Sequence, residues 1–415
     1  MKNCILALFL ILTSAPLHLA QMARKPSYQE LFDAVWSTIN DNFYDPSFGG
    51  VDWKAMRPKY ATQVTAVKDD RSFLDVAYRM MRELHASHLE LVPARAPQMG
   101  IGMHTFRLDG KLVITSVAVG SDAQKQGLRI GDLLLDQPSQ LRGMIGTPTI
   151  VRVQGCDGRE RTTKVRRENP WWPPEHPSLR WKTIEQAAGR RIGYIKATRF
   201  DDDAAPLIDE AMAAVKDTYG LIIDVRDDSG GNLSAMRLAS YVVPSSHLAV
   251  VLLSRAFLNK LGSAPEQLDL TSIPHVSGIY TTRGIIDTMK KNGGGAAFYG
   301  EDLGDRRYRG RVILLINSGT GSAAEGFALM LKNRPSITLV GRTTAGALLG
   351  SETFDLPGGW ILTVPTHAAW GADGKRYVDQ AVAPDIEVKW TRQDYCERRD
   401  PDMSKALDLI SDARP

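Results

Sequence analysis

The 415-residue chain has room for two to three domains. Its 43% apolar and 24% charged residues are ordinary for a globular protein and exclude collagen, low-complexity disorder and a polytopic membrane protein. The net charge of +4 is small for this length and no run of five or more Lys/Arg occurs, which excludes a nucleic-acid partner. The basic cluster Lys164-Val165-Arg166-Arg167 reads as a solvated strand end.

At the N-terminus, Lys2 precedes an apolar run at 5–12, and small residues follow at Ala15, Ala20 and Ala23. This pattern reads as a cleaved export signal over 1–23, with an uncleaved anchor as the competing reading. The run is too short to span a bilayer, so no stable membrane span is expected in the mature chain. The mature protein is then expected to be periplasmic or secreted. It would keep Cys156 and Cys396, which could pair in an oxidising compartment or stay buried as small apolar residues. No His or Cys clusters around either, so neither a metal nor any other cofactor is expected.

Helical character dominates 27–93: Leu31, Val35, Trp36 and Ile39 recur at helix spacing, as do Phe73, Ala77, Met80, Met81 and Leu84. The second helix runs toward Ser87-His88 and a strand-like Leu89-Glu90-Leu91-Val92. Over 97–168 the pattern becomes short strands and turns. A strand is predicted at 112–117, a short helix opening at Ser121, and a hairpin joined through Asp157-Gly158. Asn169-Pro170-Trp171-Trp172-Pro173-Pro174 reads as a stiff linker.

From 178 to 392 apolar strands alternate with helices, the signature of an α/β layer. Strands are predicted at 192–195, 221–225, 312–316, 338–340 and 361–364, and helices at 204–218, 233–242 and 323–332. The segment 245–308 reads as a lid or an inserted subdomain, and 393–415 as a C-terminal tail or helix.

Chemistry concentrates at two glycine turns. In Asn317-Ser318-Gly319-Thr320-Gly321-Ser322-Ala323-Ala324-Glu325 a buried strand ends, the chain turns, and Ser322 stands at a helix start. Ser-x-x-Glu is a capping box, with Ser322 as N-cap and Glu325 reaching back. The functional reading is a nucleophile, since a helix start aims backbone N–H groups at one point and suits an oxyanion. The second turn, Asp227-Asp228-Ser229-Gly230-Gly231, follows another buried strand; its glycines permit close backbone approach. A serine nucleophile needs a base, and His88, after Ser87, is the best placed of eight histidines.

Together these segments resemble the C-terminal-processing (tail-specific) serine peptidases, in their tricorn-like branch of clan SK. The resemblance implies an α/β core of ClpP/crotonase-like type, an N-terminal helical region and a small mostly-β PDZ-like domain. It places the nucleophile at Ser322 and the base at His88, with Ser87 and Asp379 steadying the imidazole. Oxyanion donors would come from Ala323 and from Gly230 or Gly231. The loop Gly100-Ile101-Gly102-Met103 is similar to PDZ loops that capture a peptide carboxylate, through Ile101, Gly102 and Met103.

Two positions depart from the pattern. The better-known branch carries a Lys base where Ala347 stands here, and Val378 stands where the tricorn-like branch has a Glu, with Asp379 one residue off. The expected activity is serine endopeptidase action on peptides or unfolded proteins. A catalytically inactive peptide- or ligand-binding protein on the same fold is the main rival, and non-peptide acyl transfer by Ser322 a second.

Overall fold

The computed structural model describes residues 26–93, 98–141, 143–168, 177–186, 189–243, 247–262, 264–377 and 380–412. The export-signal segment at 1–23 and the linker at 169–174 lie outside the described residues. Among those described, no helix is long and apolar enough to cross a membrane.

The core sheet has six strands in the order Ile386–Glu387, Ile337–Gly341, Arg311–Ile316, Gly220–Asp224, Arg191–Ala197, Leu179–Glu185. All neighbours are parallel except the last pair. Parallel strands need helices over both faces, and the side chains divide accordingly. Leu221, Ile223, Leu314, Ile316 and Leu339 face one way, against Ile208, Leu238 and Phe327 of the helices Ala204–Val215, Ala235–Val242 and Ser322–Leu331. Ile222, Ile313, Leu315 and Val340 face the other way, against Ala406 and Ile410 of the helix Pro401–Ser411. The C-terminal segment therefore closes the second face of the core. Burying Ile410 alone is worth about 1.5–3 kcal/mol.

The strand expected at 361–364 is not in this sheet. It belongs to the ten-residue strand Ile361–Trp370 of a second, mainly antiparallel sheet, beside Glu90–Val92, Gly350–Asp355 and Leu248–Ser254. Gly295–Tyr299 and His275–Ser277 extend that sheet. The segment 245–308, read as a lid or insertion, thus contributes three strands to this sheet, while its helix Thr282–Lys291 lines the cavity described below. The helices Tyr28–Asn42 and Asp70–Arg82 pack on it through Leu31, Phe32, Phe73 and Met80, against Leu362, Val364 and Trp370, and Trp53–Val64 packs on those two helices. Capping boxes at Ser27 and Asp69 start the outer two helices.

A small β module holds the antiparallel strands Met103–Leu108, Lys111–Val117, Leu133–Leu134, Pro148–Gln154 and Glu160–Arg166 around Ile114, Val151 and Val165. Cys156 and Cys396 form a disulfide with a Cα–Cα distance of 5.8 Å. Beside it Arg392 donates to the carbonyls of Gly131, Gln154 and Gly155. These bonds fasten the module to the C-terminal segment.

Candidate active site

The strands Gly220–Asp224 and Arg311–Ile316 are parallel neighbours, so the turns that follow them lie side by side. Four hydrogen bonds lace the turns together. Asn317 Oδ1 accepts the N–H of Asp227 and Asn317 Nδ2 donates to Asp227 Oδ1, both at 2.9 Å. Thr320 Oγ1 donates to the carbonyl of Val225 (2.8 Å), and the N–H of Gly321 to that of Asp228 (3.0 Å).

The glycines are required by this closeness. Gly230 has φ +110°, and a Cβ there would lie 2.6 Å from Ser322 Cβ and 2.8 Å from the Ala323 nitrogen. Gly231 has φ +136°, and its Cβ would lie 2.1 Å from the Phe200 carbonyl oxygen. That oxygen accepts the N–H of Asn232.

Ser322 is the first residue of the helix Ser322–Leu331, and Gly321 is its N-cap, without a side-chain cap. The capping box expected from Ser-x-x-Glu does not form. Glu325 turns inward instead, where it is fully buried and accepts from the Thr344 hydroxyl and from the N–H groups of Gly346 and Ala347 at 2.7 Å. A buried loop has amide donors that water cannot reach, and this carboxylate satisfies them. Ser322 has φ +49° and His88 has φ +60°. Non-glycine residues in this region cost about 1–3 kcal/mol each and cluster at functional sites.

Of the first four amides of this helix, those of Ser322, Ala324 and Glu325 have backbone acceptors, which leaves the Ala323 N–H. In the facing turn the Gly230 N–H donates to Asp228 Oδ1 at 2.8 Å. Gly231 is therefore the amide of that pair left to face a ligand. Gly231, Ser322 and Ala323 line one cavity of about 900 Å³. Its walls are largely apolar, with Leu233, Met236, Leu252, Ile285, Met289 and Met330.

Ser87 Oγ lies 2.8 Å from His88 Nδ1. Ala86 and Leu89, on either side of this pair, pack into the apolar cluster that includes Leu84, Leu91 and Leu349. Leu349 is two residues past Ala347, whose carbonyl accepts the Ser322 N–H at 2.9 Å. Neither Ser87 nor His88 lines the cavity. Asp379 and Val378 lie outside the described residues.

Lys332 pairs with Asp385 and donates to the Ala383 carbonyl, and Lys375 is an exposed neighbour of Asp373. Neither lines the cavity. Ile101 is buried in the β module, the Gly102 carbonyl accepts the Ala118 N–H, and Met103 opens a strand. These three also stand apart from the cavity wall.

The sequence reading missed His367, which does line the cavity; its Nδ1 lies 2.8 Å from Thr366 Oγ1. Burial holds this imidazole below its usual pKa. A Thr-His pair inside a strand carries no distinctive spacing. Among the described residues no group of three or more His, Cys, Asp or Glu could hold a metal ion.

A serine on a strained strand-to-helix turn, with amide donors beside it, is an arrangement that serine hydrolases use. The chain matches Peptidase family S41 over residues 191–388 and the Tricorn protease C1 domain over residues 24–82. It is 22% identical over 417 residues to tricorn protease homolog 1 of Streptomyces coelicolor, covering 92% of this chain and 35% of that protein. The chain thus spans about a third of the length of this relative. It is also 22% identical to the carboxyl-terminal-processing protease of Synechocystis, over 92% of this chain and 87% of that one. Mature CPAF has a similar fold, with a TM-score of 0.65 at 14% identity, covering 94% of this chain and 99% of that chain.

Proposed function

We propose that this chain is an active serine endopeptidase, periplasmic or secreted, that cleaves peptides or unfolded proteins. The observation that carries the reading is the placement of Ser322: strained, at a helix start, between the Ala323 and Gly231 amides, and open to the cavity. In the proposed reaction Ser322 Oγ attacks the scissile carbonyl. His88 takes the proton on Nε2 while its Nδ1–H donates to Ser87 Oγ, and then returns the proton to the leaving amine. Ala323 and Gly231 N–H groups hold the oxyanion, where each such donor is worth about 2.7–4 kcal/mol. The apolar cavity would seat a large apolar side chain of the substrate next to the cleaved bond. Asp379 remains the proposed group behind Ser87.

The core is read as ClpP/crotonase-like, and the β module as PDZ-like, with Ile101, Gly102 and Met103 offered to a substrate C-terminus. The inactive binding protein is the alternative, and the vacant Lys position at Ala347 and Val378 are what favour it. Peptide cleavage by the wild type, lost in Ser322→Ala with folding retained, would establish the activity. Turnover that survives in Ser322→Ala would refute the assignment.

A further inference from the structure

The turn beside the nucleophile is fastened by a carboxyl group that the mechanism above does not use. Asp228 is fully buried. Its Oδ1 accepts the Gly230 N–H at 2.8 Å, its carbonyl accepts the Gly321 N–H at 3.0 Å, and its own N–H donates to Val225 at 3.2 Å. Gly321 precedes Ser322 in the chain, and Gly230 packs against it in space. One residue therefore holds both flanks of the nucleophile. Its second oxygen, Oδ2, is buried and has no hydrogen-bond partner.

We propose that Asp228 is a positioning residue for the reaction: as a neutral acid it keeps the glycine turn in register with Ser322, and its ionisation releases that turn. The proposal rests on the serine-peptidase reading. In the neutral form Oδ2 carries the proton and Oδ1 stays an acceptor for Gly230. In the charged form Oδ2 is an anion without a donor, a state relieved only by admitting water or swinging the carboxylate out. Either movement separates Oδ1 from Gly230 and shifts the Gly231 amide relative to Ala323.

The charged groups facing Asp228 are few. Lys196, at the end of the strand Arg191–Ala197, is engaged by Asp224 and the Arg226 carbonyl. Arg199 and Asp201, in the next loop, pair with one another. The turn at 317–321 has no titratable side chain, and on its own turn Asp227 is bonded to Asn317. Burial therefore dominates and pushes the Asp228 pKa up to about 7. Because the folded value lies above the unfolded one, the stability it contributes is complete below about pH 4 and is lost as pH rises through about 7. Activity should fall on the same alkaline side.

The test compares wild type with Asp228→Asn, which keeps an acceptor without a charge, and Asp228→Ala, which keeps neither. Two quantities are read against pH: kcat on a peptide substrate, and deuterium exchange of the 226–232 segment relative to its intrinsic rate. Wild-type kcat should fall about tenfold per pH unit above 7. Asp228→Asn should stay within about threefold of wild type at pH 6 and lose the alkaline fall, whereas Asp228→Ala should be impaired at every pH. Exchange of the turn should accelerate above pH 7 in wild type but not in Asp228→Asn. An alkaline fall that persists in Asp228→Asn, or an Asp228→Ala variant equal to it, would overturn the proposal. If wild type cleaves nothing, the peptidase reading fails, and exchange alone decides: identical pH dependence in wild type and Asp228→Asn overturns the role of Asp228.

Discussion

The backbone N–H of Ser322 donates to the carbonyl of Ala347 across 2.9 Å, and Glu325, one turn along the same helix, accepts the Ala347 N–H at 2.7 Å. The helix that starts at the candidate nucleophile therefore grips both sides of a residue whose side chain is only a methyl group. Where the resemblance would place a lysine base, this chain uses the backbone to fix the serine.

Glu325→Ala should consequently be a stability variant first. It strands the Thr344 hydroxyl and the Gly346 and Ala347 amides. Leaving buried donors unpaired costs about 1–3 kcal/mol each. A drop in Tm of several degrees is expected in thermal unfolding, with a loss of activity that follows the loss of fold. A Glu325→Ala protein as stable as wild type would contradict the burial of these groups.

The two glycines of the facing turn should fail differently. Gly230→Ala places its Cβ against Ser322 Cβ and the Ala323 nitrogen, so kcat should fall by about 10²-fold or more through misplacement of the reacting groups. Gly231→Ala places its Cβ against the Phe200 carbonyl, so the turn must shift: stability should fall, and kcat with it, because the Gly231 amide is the proposed oxyanion donor. Parallel measurement of kcat and Tm on the two variants separates these outcomes.

The choice of base can be checked against both rival residue types. A general base must be unprotonated, so the rate should fall as pH drops far enough to protonate the imidazole. His88→Ala should lose about 10²–10⁴-fold in rate. Lys332→Ala and Lys375→Ala should retain activity, since one is tied to Asp385 and the other is exposed. His367→Ala should alter substrate preference more than kcat, because that ring is one wall of the cavity. If His367→Ala proves as damaging as His88→Ala, the base has been misassigned.

Reduction of the Cys156–Cys396 bond should loosen the β module, since the bridge joins residues 240 apart in sequence. Loss of a bridge closing so long a loop typically costs about 2–5 kcal/mol. Cys156→Ser should lower Tm by an amount that reductant reproduces in wild type and does not increase in the variant. Arg392, bonded to three carbonyls of the module, should keep the two parts associated until unfolding.

The local patterns of this chain were the legible ones. Runs such as Leu221-Ile222-Ile223 and Leu314-Leu315-Ile316 announce strands buried on both faces, and the structure has them as adjacent parallel strands. The turns after them carry glycines because the backbones touch, which a sequence can signal. Pairings over long separations were less visible. The sheet to which Ile361–Trp370 belongs is not legible locally, because two of its neighbours, Glu90–Val92 and Leu248–Ser254, lie more than a hundred residues away. Glu325 was misread for a related reason: a capping box and a buried acceptor for a remote loop share the same spacing. The Cys156–Cys396 bridge is not legible either, since two cysteines alone say nothing of their distance in space.

The central claim is that Ser322 is an activated nucleophile, and covalent labelling tests it most directly. Wild-type protein treated with a fluorophosphonate probe, then digested and mapped by mass spectrometry, should carry the adduct on Ser322. Labelling should fall to background in Ser322→Ala and drop sharply in His88→Ala, with both variants folded by circular dichroism. An unlabelled wild type, or an adduct that persists in Ser322→Ala, would contradict the account.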